Sequence, residues 1–123
     1  MDKEQAIHSF WSSFELPAYD ENTVPDDAKM PYITYGVSVG AMDDIQLLSG
    51  SLWYRSSSWK EISKKCEEIA KFISDHRPYT IKIDGGYLWI SYGSQFARRM
   101  ADPSDDLIRR IYLNLDAEFL TDY

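Results

Sequence analysis

Residues 49–73, SGSLWYRSSSWKEISKKCEEIAKFI, decide the fold, because a period of two gives way within them to a period between three and four. Leu48, Leu52 and Tyr54 fall on one face of an extended segment, and Ser49, Ser51, Trp53 and Arg55 fall on the other. From Trp59 onward the apolar residues step through Ile62, Cys66, Ile69 and Ile73, which draws one stripe along an α-helix. Ser58 stands three residues before Glu61, the spacing of a capping box that satisfies orphan amides at a helix start. On the polar side, Glu61 with Lys65 and Glu67 with Lys71 have the spacing of favourable i,i+4 ion pairs. Gly50 inside the strand marks a bulge or a close approach of another part of the chain.

Upstream, residues 32–39 alternate, with Ile33, Tyr35, Val37 and Val39 on one face, and residues 40–44 supply a turn. Residues 32–55 thus read as a β-hairpin feeding a helix over 58–74. Residues 16–31, LPAYDENTVPDDAKMP, carry three prolines and the acidic Asp20, Glu21, Asp26 and Asp27 without a regular period, and read as a loop. Residues 2–14 read as a first helix, with Ala6, Phe10 and Phe14 spaced by four and Ile7 and Trp11 alongside. Downstream, residues 79–84 and 87–92 read as short strands joined at Gly85 and Gly86, where the turn needs positive φ. Residues 93–104 read as a polar connection with room for one helical turn. Residues 107–120 form a last strand, with Ile111, Leu113, Leu115, Ala117 and Phe119 inward and Arg110, Tyr112, Asn114, Asp116 and Glu118 outward. The expected class is α+β, a mostly antiparallel sheet of about five strands with two main helices packed on one face. The expected order is α-β-β-α-β-β-β, within a single domain over 1–123.

The 123 residues include 13 basic and 20 acidic side chains, a balance of −7. Residues 1–31 alone contribute −5, so the acidity is mostly N-terminal. An acidic chain without a long Lys/Arg cluster lacks the footprint for duplex nucleic acid and repels it instead. No apolar run approaches the ~20 residues of a membrane span, and the N-terminus is too charged for a secretory signal, so the chain reads as soluble and cytosolic. The lone cysteine, Cys66, lies on the helix stripe and reads as a small buried hydrophobe.

Sites of chemistry are sparse. His8 and His76 have no partners at metal-ligand spacing, and His76 falls just past the second helix, where a cation is favourable. The acidic group at 20–27 lacks the spacing and central glycine of a calcium loop. No Gly-x-Ser-x-Gly elbow and no phosphate-binding glycine loop occurs. The reading is therefore of no enzyme, with no catalytic residue, metal or cofactor. Arg98, Arg99, Arg109 and Arg110 flank Asp102, Asp105 and Asp106. They serve either as local ion pairs on a loop or as charge complementarity between subunits. Trp53, Trp59 and Trp89 divide between core and interface, with Trp59 assigned to the core.

The hairpin MPYITYGVSVG at 30–40, the segment SGSLWYRSSSWKEISKK at 49–65 and the ending RRIYLNLDAEFL at 109–120 together resemble the small tail-completion proteins of tailed bacteriophages, and more narrowly the tail terminators. The resemblance implies an α/β subunit without enzymatic activity, in a ring, commonly a hexamer, at the head-proximal end of the tail tube. It implies the tail tube protein below, head-completion or connector proteins above, DNA only as passing cargo, and no membrane. The location would be the virion, at the head–tail junction, after assembly in the bacterial cytoplasm. It carries over no site residue. The interface residues expected from their own chemistry are Trp53, Arg55, Arg98, Arg99, Asp105, Asp106, Arg109 and Arg110. Two alternatives are a head-completion or connector-stopper protein and a host-directed binding module whose acidic 16–31 region mimics nucleic acid.

Overall fold

The computed structural model describes residues 1–41 and 44–123, so Met42 and Asp43 of the expected 40–44 turn lie outside the described residues. Helix α1 (Lys3–Trp11) begins at Asp2, whose carboxylate accepts from the Gln5 amide at 2.8 Å while the Gln5 side chain accepts from the Asp2 amide at 2.9 Å. That reciprocal cap offsets two of the orphan donors at the helix start. The helix tightens into a 3₁₀ turn over Ser12–Phe14 and stops at Glu15 in the left-handed region. The capping box expected at Ser58 is not formed. Helix α2 (Lys60–Asp75) starts one residue later, from Trp59, which leaves Glu61 one position short of the reach back to the cap. The Ser58 hydroxyl instead accepts from the Lys60 amide at 3.1 Å. The expected Glu61–Lys65 and Glu67–Lys71 pairs do not form among the described residues; Lys65 turns instead to Glu68 at 2.7 Å and to the Phe14 carbonyl at 3.1 Å.

Among the described residues six strands, β1 (Ala18–Asp20), β2 (Tyr32–Tyr35), β3 (Ile45–Arg55), β4 (Tyr79–Ile83), β5 (Gly86–Ala101) and β6 (Ile108–Thr121), form one sheet in the order β1-β2-β3-β6-β5-β4. Every neighbouring pair is antiparallel except β1 with β2. The architecture is α+β with two helices, and the sheet is mixed and has one strand more than expected. The extra strand lies in the expected 16–31 loop, where the Pro17 carbonyl accepts from Ile33 and the Glu21 amide donates to Tyr35. Three residues held by a neighbour leave no period to read. Conversely, β2 ends at Tyr35 rather than at residue 39.

The largest correction falls on residues 93–104, expected as a polar connection. Most of this segment continues β5 beyond a bulge. Tyr92 faces Leu115 and Ala97 faces Leu113, so β5 advances five residues while β6 advances two. The odd number of extra residues inverts the phase. Tyr92 faces the helices before the bulge and Ala97 and Arg99 do so after it. Gln95 sits at φ 53° within the bulge, and its carbonyl accepts from the Asn114 amide at 3.1 Å.

Both helices cover the same face. Ile62, Ile69 and Ile73 of α2 are fully buried with Ala6, Ile7, Phe10 and Trp11 of α1, over Leu48, Leu52, Leu88, Ile90, Leu113, Leu115 and Phe119. Helix α1 touches both edge strands, β1 and β4, so the sheet curls around it. Gly50 marks close approach, not a bulge, since the β3–β6 register runs unbroken past it. A Cβ there would lie 2.7 Å from the Trp11 ring. Cys66 is only half-buried, and burial followed by the charge of Glu67 pushes its thiol above the ordinary range. Lys3 is buried, with Nζ donating to the carbonyls of Gly40 and Tyr123 at 3.0 Å each and standing 4.4 Å from the Tyr123 ring centre.

Candidate protein interface

Helices on one face of a sheet leave the other face to be satisfied by solvent or by partners. On β3 and β6 the open face carries Ile45, Leu47, Ser49, Ser51, Trp53 and Arg55 opposite Glu118, Asp116, Asn114, Tyr112, Arg110 and Ile108. Its two ends differ in chemistry. At one end, Ile45 and Trp89 flank Glu118, Leu47 and Ser91 flank Asp116, and Tyr87 lies beside Leu120. Ile45 is 66% exposed, Leu47 56%, Tyr87 46% and Trp89 41%, which makes this the main apolar exposure on the sheet. Asp116 and Glu118 enter no ion pair among the described residues. A recess of about 110 Å³ lies between them, Ile45 and Trp89.

The opposite end is aromatic and basic. The Trp53 indole donates to the Thr34 hydroxyl at 2.8 Å, and the Arg110 guanidinium lies 4.6 Å from the Trp53 ring centre. Arg110 Nε donates to the Ser51 hydroxyl at 3.0 Å, which fixes the plane of the guanidinium over the ring. Tyr19 and Tyr32 meet edge to face, with centroids 5.7 Å apart. Arg98, on the same face beside Tyr112, is exposed and makes no hydrogen bond or ion pair among the described residues.

The expected interface residues are therefore not one cluster. Adjacent residues of a strand point to opposite faces, so each Arg-Arg pair is split. Arg98 and Arg110 stand on the open face. Arg99 and Arg109 stand on the helix side, 4.8 Å and 5.3 Å from the centre of the Trp59 ring, which is clasped at the core margin rather than fully buried. Arg109 also donates to the carbonyls of Asp106 and Ser57, at 2.6 Å and 3.2 Å. None of the four arginines forms the expected ion pair with Asp102, Asp105 or Asp106 among the described residues, and Asp105 pairs instead with Arg55, at 2.5 Å. The Leu107 amide, and then Arg55, hold the Asp105 carboxyl below the ordinary carboxylate range. The Ser104 hydroxyl and amide do the same for Asp102. These bonds shape the β5–β6 turn, and Asp106 is exposed there.

Sequence reasoning missed the Ile45, Leu47 and Tyr87 patch and the Tyr19–Tyr32 pair. The signal was available, since Ile45 and Leu47 share the phase of Trp53. The histidines do not join a site. His8 Nδ1 lies 2.7 Å from the Tyr35 hydroxyl, and His76 caps α2 with Nδ1 2.8 Å from the Phe72 carbonyl oxygen. Among the described residues no three His, Cys, Asp or Glu side chains gather where a metal ion would be held. Among the described residues no helix is long and apolar enough to cross a membrane. No protein-family model matches the chain, and no curated protein matches it.

Proposed function

We propose that this chain is a structural subunit of a bacteriophage tail, a tail terminator that forms a ring on the head-proximal end of the tail tube and joins it to the head. The open sheet face carries this reading. Exposed apolar side chains gathered in one place mark contact surfaces, and Ile45, Leu47, Tyr87 and Trp89 gather at one end of this face around Asp116 and Glu118. Aromatic residues combined with arginine, as at Trp53, Tyr112 and Arg110, are the composition of protein contact surfaces. The net charge of −7 suits a ring through which DNA passes without adhering. The partners in this reading are further copies of the chain, the tail tube protein below and a head-completion protein above, in the virion.

Light scattering of the purified chain, alone and with tail tube protein, tests the proposal. A ring-sized species or capture by tubes is expected, and a strict monomer at high concentration that never associates with tubes overturns it. Labelled chain added to isolated tails should mark their head-proximal end. Marking only heads would instead assign it to the connector.

A further inference from the structure

The sheet has two free edges at the same level. Strand β4 pairs with β5 only over Gly86–Ile90, so beyond Ile90 the outer edge of β5 has no strand beside it. Strand β1 is the opposite edge and pairs only with β2. Reading across the ladders, Tyr19 lies in register with Thr34, Ser51, Tyr112 and Arg98. Ala18 shares its row with Arg99, and Asp20 shares its row with Ala97. Because β4 is displaced toward the far end of β5, it does not obstruct these rows. The strand directions implied by the pairings make β1 antiparallel to β5.

The two edges are also opposite in charge. Asp20 and Glu21 lie on and beside β1, with Asp26 and Asp27 following, whereas the free part of β5 presents Arg98 and Arg99, both exposed. Unpaired edges recruit strands indiscriminately unless charge selects the partner. Two arginines reject most strands and accept an acidic one.

We infer that β1 of one copy pairs edge to edge with residues 97–99 of the next, extending the sheet from subunit to subunit head to tail. The inference rests on the reading that the chain assembles with itself, and it names the contact. Side by side at the same level, Tyr19 meets Arg98 on the open face, a cation–π pair, and Asp20 meets Arg99 diagonally on the helix side. Such a contact is heterologous, so it closes into a ring or runs on as a filament, but does not stop at a dimer.

Two experiments test it. In a Cys66→Ala chain, Tyr19→Cys and Arg98→Cys are combined and oxidised. Within one chain these positions are four strand spacings of about 4.8 Å apart along the sheet, beyond the ~7 Å limit for a disulfide, so any bond joins two copies. A ladder of covalent oligomers is expected, together with 19-to-98 bonding when the two single-cysteine chains are mixed. A wild-type chain that assembles while the cysteine chain gives no ladder, or gives only 19-to-19 or 98-to-98 bonds, overturns the edge contact and leaves the ring reading standing. A chain that stays monomeric under all conditions overturns both. The second experiment reverses charge. Arg98→Glu with Arg99→Glu makes both edges acidic, and Asp20→Lys with Glu21→Lys makes both basic. Each variant alone should need at least about tenfold more protein to assemble, a change of about 1.4 kcal/mol. An equimolar mixture should recover assembly by alternation, and no recovery from two folded variants counts against the contact.

Discussion

Strand β6 has two faces that follow different rules. Ile111, Leu113, Leu115, Ala117 and Phe119 lie under the helices, at most 4% exposed, whereas Arg110, Tyr112, Asn114, Asp116 and Glu118 alternate with them on the open face, only partly covered. The inward set is specified by the hydrophobic effect within the chain. The outward set is chemically mixed and divided by end, basic and aromatic near Arg110 and acidic near Glu118. One face therefore encodes the fold, and the other is free to encode contacts.

That contrast is sharpest where single substitutions separate the faces. Leu113 is fully buried between Gly50 and Ala97, and Leu113→Ala is expected to cost about 2–5 kcal/mol in urea denaturation. The adjacent Tyr112→Ala should cost under about 1 kcal/mol while weakening assembly, and equal losses of stability from the two would break the distinction. A smaller effect is expected at Gly50→Ala, where the new methyl meets the Trp11 ring at 2.7 Å. About 1–3 kcal/mol should be lost to overpacking, and a Trp11→Leu background should recover part of it in a double-mutant cycle. The smallest effect belongs to the solvent-side turn at Asp105. Its carboxyl titrates lower in the folded chain than in the unfolded one, so its contribution to stability is present at neutral pH and is lost as pH falls through and below the ordinary carboxylate range. The difference in melting temperature between wild type and Asp105→Asn should thus shrink from pH 7 to below about pH 4. A constant difference would show that the ionised carboxylate does not matter there.

The same contrast explains what was legible in the sequence. Helix α2, β3 and β6 are long, and each sets apolar residues against polar ones at a clean period, so their type and inward residues could be read directly. Strand β1 could not, because three residues between prolines show no period and owe their extension to β2. Residues 93–101 were hidden for another reason. The bulge inverts the alternation after Tyr92, and the helix-side positions that follow are Ala97 and Arg99, which give no hydrophobic signal. The arginines were singled out as unusual, but reading residues 93–104 as a loop grouped four side chains that a strand divides between faces. The open apolar patch was missed because the faces of β3 were assigned only from Leu48 onward, although the strand itself was read from Ile45.

Lys3 gives the molecule a fixed compass point. Its bond to the Tyr123 carbonyl, with the Met1 amine 3.0 Å from Asp84, gathers residues 1 and 123 at the end of the sheet where Thr121 faces Gly86. The rows at Ala18 and Arg99 cross β6 near Ile111, ten residues away, or about 30 Å along the strand. A probe on residue 1 or 123 would sit far from the inferred contact and at a known pole of every subunit. Its height in an assembled particle would tell which way the strands run relative to the axis of that particle.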